Sequence, residues 1–424
     1  MDTHPKKYNM EERSYDLFIL LYKWGIDLAS VFSPKIRRWI HGRKGLFETL
    51  SGKIGPQDKI IWFHCASLGE FEQGRPVIES IGSQSKKYKI LLTFFSSPGY
   101  ENQKYYTHAD VISYLPLDTK KNMERFVTLI HPHILVLVKY EFWPHMISTL
   151  YRRSIPIYVI SAAFRKDQIF FRSYGGVMRK ILKKISHFFV QNDTSKKLLQ
   201  SIGISNITVC GDTRFDRVVE IRKTWSFLPM IEKFKNNTLI FVAGSTWGRD
   251  EDLLISLINR CTHPIKFILV PHEVCPAHIS KLQQRIFKKT LRQSECAENE
   301  IKNSEVLIVD AIGLLTRIYG SADIAYVGGG FGKEGIHNVL EPAAFGIPVL
   351  FGPIHNKFPE AQCLLDTKAA HIIKNLQELE YILDQLTSHS AFRTQMGTAA
   401  TRYIQHNVGA TIIITTALKK ALQN

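Results

Sequence analysis

Residues 324–353, IAYVGGGFGKEGIHNVLEPAAFGIPVLFGP, carry the densest set of side chains and backbone groups able to do chemistry. They read as strand, glycine loop, helix, strand, glycine loop. Residues 324–327 are a short apolar run of the kind a buried strand shows. Gly328, Gly329, Gly330, Gly332 and Gly335 follow. Glycine lets a backbone turn sharply and bring its N–H groups close to a ligand. His337, Asn338 and Glu341 then open or line the next helix, whose N-terminus would offer free N–H groups to an anion. A phosphate-bearing ligand suits this arrangement. The literal G-x-G-x-x-G at Gly330, Gly332 and Gly335 also fits an ordinary βα turn. The His-Asn pair and the glutamate one helical turn later point beyond a turn to a site.

Four further clusters stand directly after apolar runs. His64-Cys65-Ala66-Ser67-Leu68-Gly69-Glu70 is the first. A carboxylate there, Glu70, can take a proton from a hydroxyl nucleophile as general base. Ser67 with Glu70 also fits a capping box, so the spacing leaves both roles open. Lys139-Tyr140-Glu141-Phe142-Trp143-Pro144 is the second. A carboxylate among aromatics is costly to bury unpaired, and Glu141 reads as a structural or acceptor-positioning acid. Ala243-Gly244-Ser245-Thr246-Trp247-Gly248 places the hydroxyls of Ser245 and Thr246 at a helix start, where they suit a phosphate or simply cap a turn. Pro271-His272-Glu273 supplies His272, a donor-site contact or a structural ring. No H-E-x-x-H, paired-cysteine or D-x-D motif stands at a strand end. No metal site is expected, and a leaving phosphate would be stabilised by N–H groups and cations.

Strand ends must position these clusters, and the chain supplies strands in a regular rhythm. Apolar runs at 60–64, 90–95, 111–115, 134–138, 157–160, 188–190 and 207–209 alternate with helix-like segments. The rhythm breaks at 222–238 and restarts at 239–243, 267–270, 306–309, 324–327 and 349–351. Continuous apolar strands alternating with helices predict parallel sheets covered on both faces. The 424 residues exceed what one core usually absorbs, so two domains are expected. The expected division is 1–45 as an anchor helix with a basic turn, 46–221 as the first α/β domain, 222–238 as a linker, 239–408 as the second, and 409–424 as a C-terminal helix packing back on the first. That final helix reads as apolar along Ile412, Ile413, Leu418 and Leu422. In such sheets ligands bind outside the carboxyl ends of the strands.

The formal net charge of +17 calls for an acidic partner such as a phosphorylated lipid or a nucleotide. No nucleic-acid-binding motif accompanies it, and nucleic acid is not expected as a partner. Cys65, Cys210, Cys261, Cys275, Cys296 and Cys363 are scattered, which suits small apolar residues in a reducing compartment. Near the N-terminus, Lys23, Asp27 and Ser30 share one helical face. Leu17, Ile19, Leu20, Leu21, Trp24, Leu28, Val31 and Phe32 are assigned to the other. Pro34 ends the helix, and Lys35, Arg37, Arg38, Arg43 and Lys44 follow. An amphipathic helix beside a basic cluster reads as an interfacial anchor on an anionic membrane surface, with its basic side cytoplasmic. A core-packed helix with a solvated basic turn is the alternative.

The ordered motifs resemble those of the Kdo transferase family (3-deoxy-D-manno-octulosonic acid transferases of lipopolysaccharide biosynthesis). They are His64 with Ala66-Ser67-Leu68-Gly69-Glu70, Tyr114-Leu115-Pro116-Leu117-Asp118, Glu141-Phe142-Trp143-Pro144, Gly211-Asp212-Thr213-Arg214-Phe215-Asp216, Ala243-Gly244-Ser245-Thr246, Val327-Gly328-Gly329 and His337-Asn338-Val339-Leu340-Glu341-Pro342. The resemblance implies a GT-B glycosyltransferase, with two Rossmann-like domains and an interdomain cleft. It implies transfer of Kdo from CMP-Kdo to the lipid A precursor at the cytoplasmic face of the inner membrane, without a cofactor or metal. By the same resemblance Glu70 is the general base of an inverting reaction. Ser245, Thr246, His272, Gly329, Gly330, His337, Asn338 and Glu341 would serve the donor, with Glu341 on the ribose hydroxyls. Arg43, Ser67 and Glu141 would serve the acceptor or the scaffold. An arginine of the family's donor segment is missing near His272, with His272 or Lys281 as the stand-in.

Three other readings compete. A GT-B transferase with a UDP-sugar donor would differ in nucleotide preference. A non-catalytic basic protein would rest on charge alone. An NAD enzyme would need an acid about 20 residues beyond the glycines, where His355 stands.

Overall fold

The structure is a computed structural model that describes residues 10–83, 87–295, 300–333 and 335–423, with side chains from Ser14 onward. The chain divides into two compact units, Met1–Arg217 with Val408–Asn424, and Val218–Asn407.

The first unit holds a seven-stranded parallel sheet. Its strands are β1 (Ile60–Cys65), β2 (Lys89–Phe94), β3 (Val111–Tyr114), β4 (Pro132–Val138), β5 (Ile157–Ala162), β6 (His187–Val190) and β7 (Ile207–Val209), in the order β3-β2-β1-β4-β5-β6-β7. All six residues of β1 are buried, as a parallel strand covered on both faces requires. The second unit repeats the plan with β8 (Leu239–Thr246), β9 (Ile265–Pro271), β10 (Thr290–Arg292), β11 (Val306–Ile308), β12 (Ile324–Val327), β13 (Val349–Phe351) and β14 (Ala370–Ile372). Their order is β10-β11-β9-β8-β12-β13-β14. Each sheet reverses its winding once, between β1 and β4 and between β8 and β12. Registers there pair His64 with Leu137 and Gly244 with Val327. Such a switch point is where doubly wound folds hold their ligands.

The segment expected to be a linker is folded into the second unit. A helix Thr213–Lys223 runs across the unit boundary, and a helix Pro229–Lys235 follows. Ile231 and Phe234, three residues apart on that second helix, are fully buried in the second core. The aromatic punctuation that resembled a linker is therefore packing: the Trp225 indole lies against Gly320 and Phe345 and donates to the Arg317 carbonyl at 2.8 Å.

The helix Ala410–Gln423 belongs to the first unit's core through Ala410, Ile414 and Leu418, one helical stripe at i, i+4 and i+8. Ile412 and Ile413, assigned to its apolar side from sequence, are exposed instead. Asp216 fixes its start by accepting from the Gly409 and Thr411 N–H groups and the Thr411 hydroxyl.

Near the N-terminus, α1 (Met10–Phe32) stops where Ser33 caps α2 (Pro34–His41), with Pro34 at the first helical position. After a short α3 (Leu46–Ser51) and β1 comes α4 (Leu68–Gly82). The inner stripe of α1 holds Tyr15, Ile19 and Tyr22. Ile19, placed on the outer face from sequence, is 2 % exposed. Tyr15 donates to Asp118 at 2.8 Å, and Asp118 also accepts the His145 and Met146 N–H groups that open the helix Pro144–Arg152. Leu17, Phe18, Leu20, Leu21, Trp24, Leu28, Val31 and Phe32 are 49–82 % exposed. Among the described residues no helix is long and apolar enough to cross a membrane.

Of the cysteines, Cys65 and Cys210 are buried, Cys261 and Cys363 half-buried and Cys275 exposed. All five are free, and Cys296 lies outside the described residues.

Candidate active site

The first cluster stands at the β1/β4 switch point. Ser67 has an extended backbone and its hydroxyl accepts the Glu70 N–H, so it caps α4. Glu70 returns the favour, taking the Ala66 N–H on Oε2. The capping box is therefore real, displaced by one residue, and it fixes the Glu70 carboxylate at the strand end. Glu141 enters from the loop after β4. That loop begins with Lys139 at φ 65°, a left-handed conformation that a non-glycine residue adopts at a cost. The Trp143 indole N–H donates to Glu141 Oε2 at 2.8 Å. His64 lies fully buried with Nδ1 2.9 Å from the Thr93 hydroxyl, and its Nε2 is 3.9 Å from Glu141 Oε2. Among the described residues nothing hydrogen-bonds His64 Nε2. Burial pushes the Glu70 carboxyl above the usual carboxylate range, and the Glu141 charge pushes it further. The Ala66 N–H, His64 and Lys139 pull the other way. A half-buried carboxyl with raised proton affinity is chemically able to take up a proton from a neighbouring hydroxyl.

The second cluster gathers at the β8/β12 switch point. Gly328 must be glycine because a Cβ there would lie 2.3 Å from the Ser245 carbonyl oxygen. Gly330 must be because its Cβ would meet Gly352 backbone at 2.6 Å. These glycines let protein loops close on one another, which is a different reason from the one the sequence suggests. Gly329 gives its N–H to Asp250 Oδ2 at 2.8 Å. Asp250 is 1 % exposed and also accepts the Trp247 N–H at 2.9 Å and the Tyr326 hydroxyl at 2.7 Å. One buried carboxylate thus ties the loop after β8, strand β12 and the glycine loop together. Above it, the Trp247 indole N–H donates to His337 Nε2 at 2.8 Å, and His272 stacks on both rings. Asn338 donates to Glu341 Oε1 at 3.0 Å, and Thr316 donates to Glu341 Oε2 at 2.7 Å.

Residues 39–217 match the family described as 3-deoxy-D-manno-octulosonic-acid transferase (kdotransferase). The 3-deoxy-D-manno-octulosonic acid transferase of Haemophilus influenzae is 26 % identical over 94 % of this chain and 95 % of its own length. That of Aquifex aeolicus is 29 % identical over 77 % of this chain and 86 % of its own. Residues 39–217 of the chain carry the Kdo transferase domain, and relatives named as Kdo transferases cover most of its length. It is a glycosyltransferase, and its chemistry is Kdo transfer in lipopolysaccharide biosynthesis. The GT-B-like fold also appears in the UDP-GlcNAc 2-epimerase of Neisseria meningitidis, solved with UDP-GlcNAc. That enzyme is 15 % identical, with TM-score 0.59 over 85 % of this chain and all of that one, a likeness of fold alone.

Within this glycosyltransferase the residues singled out from sequence divide by what they touch. Glu70 and Glu141 come together, as do Ser245, His272, His337, Asn338 and Glu341 at the second set of strand ends. Ser245 has φ 54° and makes no side-chain hydrogen bond among the described residues. Thr246 is buried and its hydroxyl serves Glu251 at 3.2 Å, beneath the surface a ligand would meet. Gly329 and Gly330 are buried as well, with their backbones engaged by protein. Arg43 spends its guanidinium on the carbonyls of Leu115, Trp39 and Phe95 and lies over the Trp39 ring at 3.6 Å. Burial lowers its pKa to about 9, still charged at neutral pH. It locks the basic turn to the first sheet. Lys281 lies in the last turn of the helix Pro276–Gln284. Asp250, Tyr326 and Thr316 were not legible as site residues. Each acts through a partner far away in sequence.

The carboxylate pair predicts a pH effect. Removing the Glu141 charge in Glu141→Gln lowers the proton affinity of Glu70. With Glu70 as the base, the acid limb of the pH–rate profile therefore moves to lower pH in that variant. An acid limb that stays put, or moves up, in kcat/KM against pH would show that the two groups do not communicate.

Proposed function

We propose that this glycosyltransferase moves Kdo from CMP-Kdo to a phosphorylated, acylated lipid A precursor (lipid IVA), with inversion and Glu70 as general base. The observation that carries the reading is the Glu70 carboxylate, fixed by its own helix cap at the switch point of the first sheet and raised in proton affinity by burial and Glu141. Glu70 takes the proton of the acceptor hydroxyl. The hydroxyl oxygen bonds to the anomeric carbon of Kdo as the bond from that carbon to the phosphate oxygen breaks. CMP departs with the electron pair. The second unit holds the donor through Ser245, His272, His337 and Asn338, with Glu341 placed for ribose hydroxyls. No cofactor or metal enters this scheme.

The acceptor is a membrane lipid, and α1 is the anchor that meets it at the cytoplasmic face of the inner membrane. Its exposed apolar stripe adjoins the exposed Lys35, Arg37 and Arg38 of α2, a pattern that suits an anionic leaflet. Replacing Leu21 or Leu28 by glutamate removes about 2 kcal/mol of burial each, roughly 30-fold in vesicle affinity. Co-sedimentation with phosphatidylglycerol vesicles reads this directly, and unchanged pelleting of the double variant would remove α1 as the tether.

The test of the function is Kdo transfer from freshly generated CMP-Kdo to purified lipid IVA in the presence of EDTA. Transfer supports donor, acceptor and metal independence together. Turnover that needs a UDP-sugar instead would move the chain to another donor on the same scaffold.

A further inference from the structure

Trp247, His272 and His337 form a three-ring unit from three separate loops, following β8, β9 and the glycine loop after β12. Trp247 and His337 are close to coplanar, 10° apart with centroids at 6.2 Å, and they meet edge to edge through the indole N–H and His337 Nε2 at 2.8 Å. His272 lies flat over both, 4.4 Å from the Trp247 ring and 4.7 Å from the His337 ring. Gly329 makes room below. A Cβ on it would lie 3.2 Å from His337 Cδ2. The main chain holds the ring bases, since the His337 N–H donates to the Gly328 carbonyl and the His272 N–H to the Thr246 carbonyl.

An indole nitrogen only donates. Its partner Nε2 must then be an acceptor, and a neutral imidazole that accepts on Nε2 carries its proton on Nδ1. A cationic His337 would point a second N–H at the indole N–H. We infer that Trp247 is a positioning residue of the donor site: its indole N–H holds His337 as the neutral Nδ1–H tautomer, which meets an anionic oxygen of the donor as an uncharged hydrogen-bond donor. The inference rests on the second unit being the CMP-Kdo site.

The electrostatic surroundings agree. Burial lowers the proton affinity of His337, and the neighbouring His272 lowers it further. Asp250, on the helix Gly248–Arg260, acts in the opposite direction. Sequence spacing gives no hint of the arrangement, because Trp247 and His337 are 90 residues apart.

The experiment is long-range ¹H–¹⁵N correlation of the histidine rings in the full-length, ligand-free protein at pH 7, with His337 assigned by its loss in His337→Gln. The wild type is expected to show an unprotonated Nε2 and a protonated Nδ1 for His337. Trp247→Phe keeps an aromatic ring under His272 and removes the N–H together with one ring of the indole. That variant is expected to release His337 to a tautomer mixture and to weaken CMP binding about 5- to 10-fold at pH 7.5. Relative to the wild type, its CMP binding should tighten towards pH 6 as the freed ring becomes cationic. A wild-type His337 protonated on Nε2 overturns the inference without any variant. So does a Trp247→Phe protein that keeps both the tautomer and the CMP affinity. If CMP binds the wild type elsewhere and leaves the His337 resonances unmoved, the role toward the donor fails. If CMP does not bind the wild type at all, the donor reading itself falls, and the ring lock is then judged by the tautomer alone.

Discussion

Glu70→Gln loses about 100- to 10,000-fold of Kdo transfer, the usual contribution of a general base, while CMP binding and thermal stability stay at wild-type values. The substitution is chosen for what it preserves. Glu70 has two jobs: its carboxylate faces the end of β1, and its Oε2 accepts the Ala66 N–H in the helix cap. A glutamine retains a carbonyl oxygen for that N–H, so α4 keeps its start. It cannot take a proton, so only the chemistry is removed. Glu70→Ala would confuse the two, because leaving the Ala66 N–H without its acceptor costs about 1 kcal/mol and would move the strand-end loop with it. The measurement is single-turnover transfer with saturating donor, beside CMP titration of the same sample. A Gln variant with near wild-type turnover would sink the assignment of Glu70 as base. Equal losses of CMP affinity and turnover would instead mean that the strand-end loop had been displaced.

The same residue shows what a linear sequence can and cannot disclose. Strand positions, the doubly wound pattern and the two catalytic-end loops were legible, because continuous apolar runs survive in sequence and strand ends follow them. β10 and β14 were not. Thr290–Arg292 and Ala370–Ile372 are three-residue edge strands, too short and too polar to form an apolar run. The linker was misread because Ile231 and Phe234 pack into a core that only the fold defines. The inner stripe of α1 was misread for a related reason: helical periodicity gives two apolar faces, and only Asp118 and its neighbours decide that Ile19 turns inward. At the site, Glu70, Glu141, His337 and Glu341 could be named from strand-end position. The glycine loop could be located, but its glycines turned out to serve contact between protein loops. Asp250 could not be named, since its three partners come from the start of its own helix, from β12 and from the loop beyond.

Asp250→Ala destabilises the second unit by about 3–5 kcal/mol and weakens CMP binding more than tenfold. The carboxylate is 1 % exposed, and its two oxygens satisfy two backbone N–H groups and one tyrosine hydroxyl. Alanine leaves all three without a partner, at about 1–3 kcal/mol for each buried donor and with less than full additivity. For a unit of this size that is a fall in Tm of roughly 6–20 °C. The binding loss follows from geometry. Oδ2 alone joins the Trp247 N–H to the Gly329 N–H, so its removal loosens the loop carrying Ser245 and Trp247 against the loop leading to His337 and Asn338, leaving the Trp247–His337 hydrogen bond as a remaining tie. Asp250→Asn discriminates between charge and connection. An asparagine oriented with its oxygen at the Oδ2 position still accepts both N–H groups, and its amide can donate to the Tyr326 hydroxyl oxygen. It should therefore keep most of the stability and most of the CMP affinity. Scanning calorimetry and CMP titration of both variants separate the cases. A fall in Tm with unchanged CMP affinity in Asp250→Ala would reduce Asp250 to a packing role. Equal damage in both variants would mean that the negative charge itself, rather than its two-loop bridge, holds the donor site together.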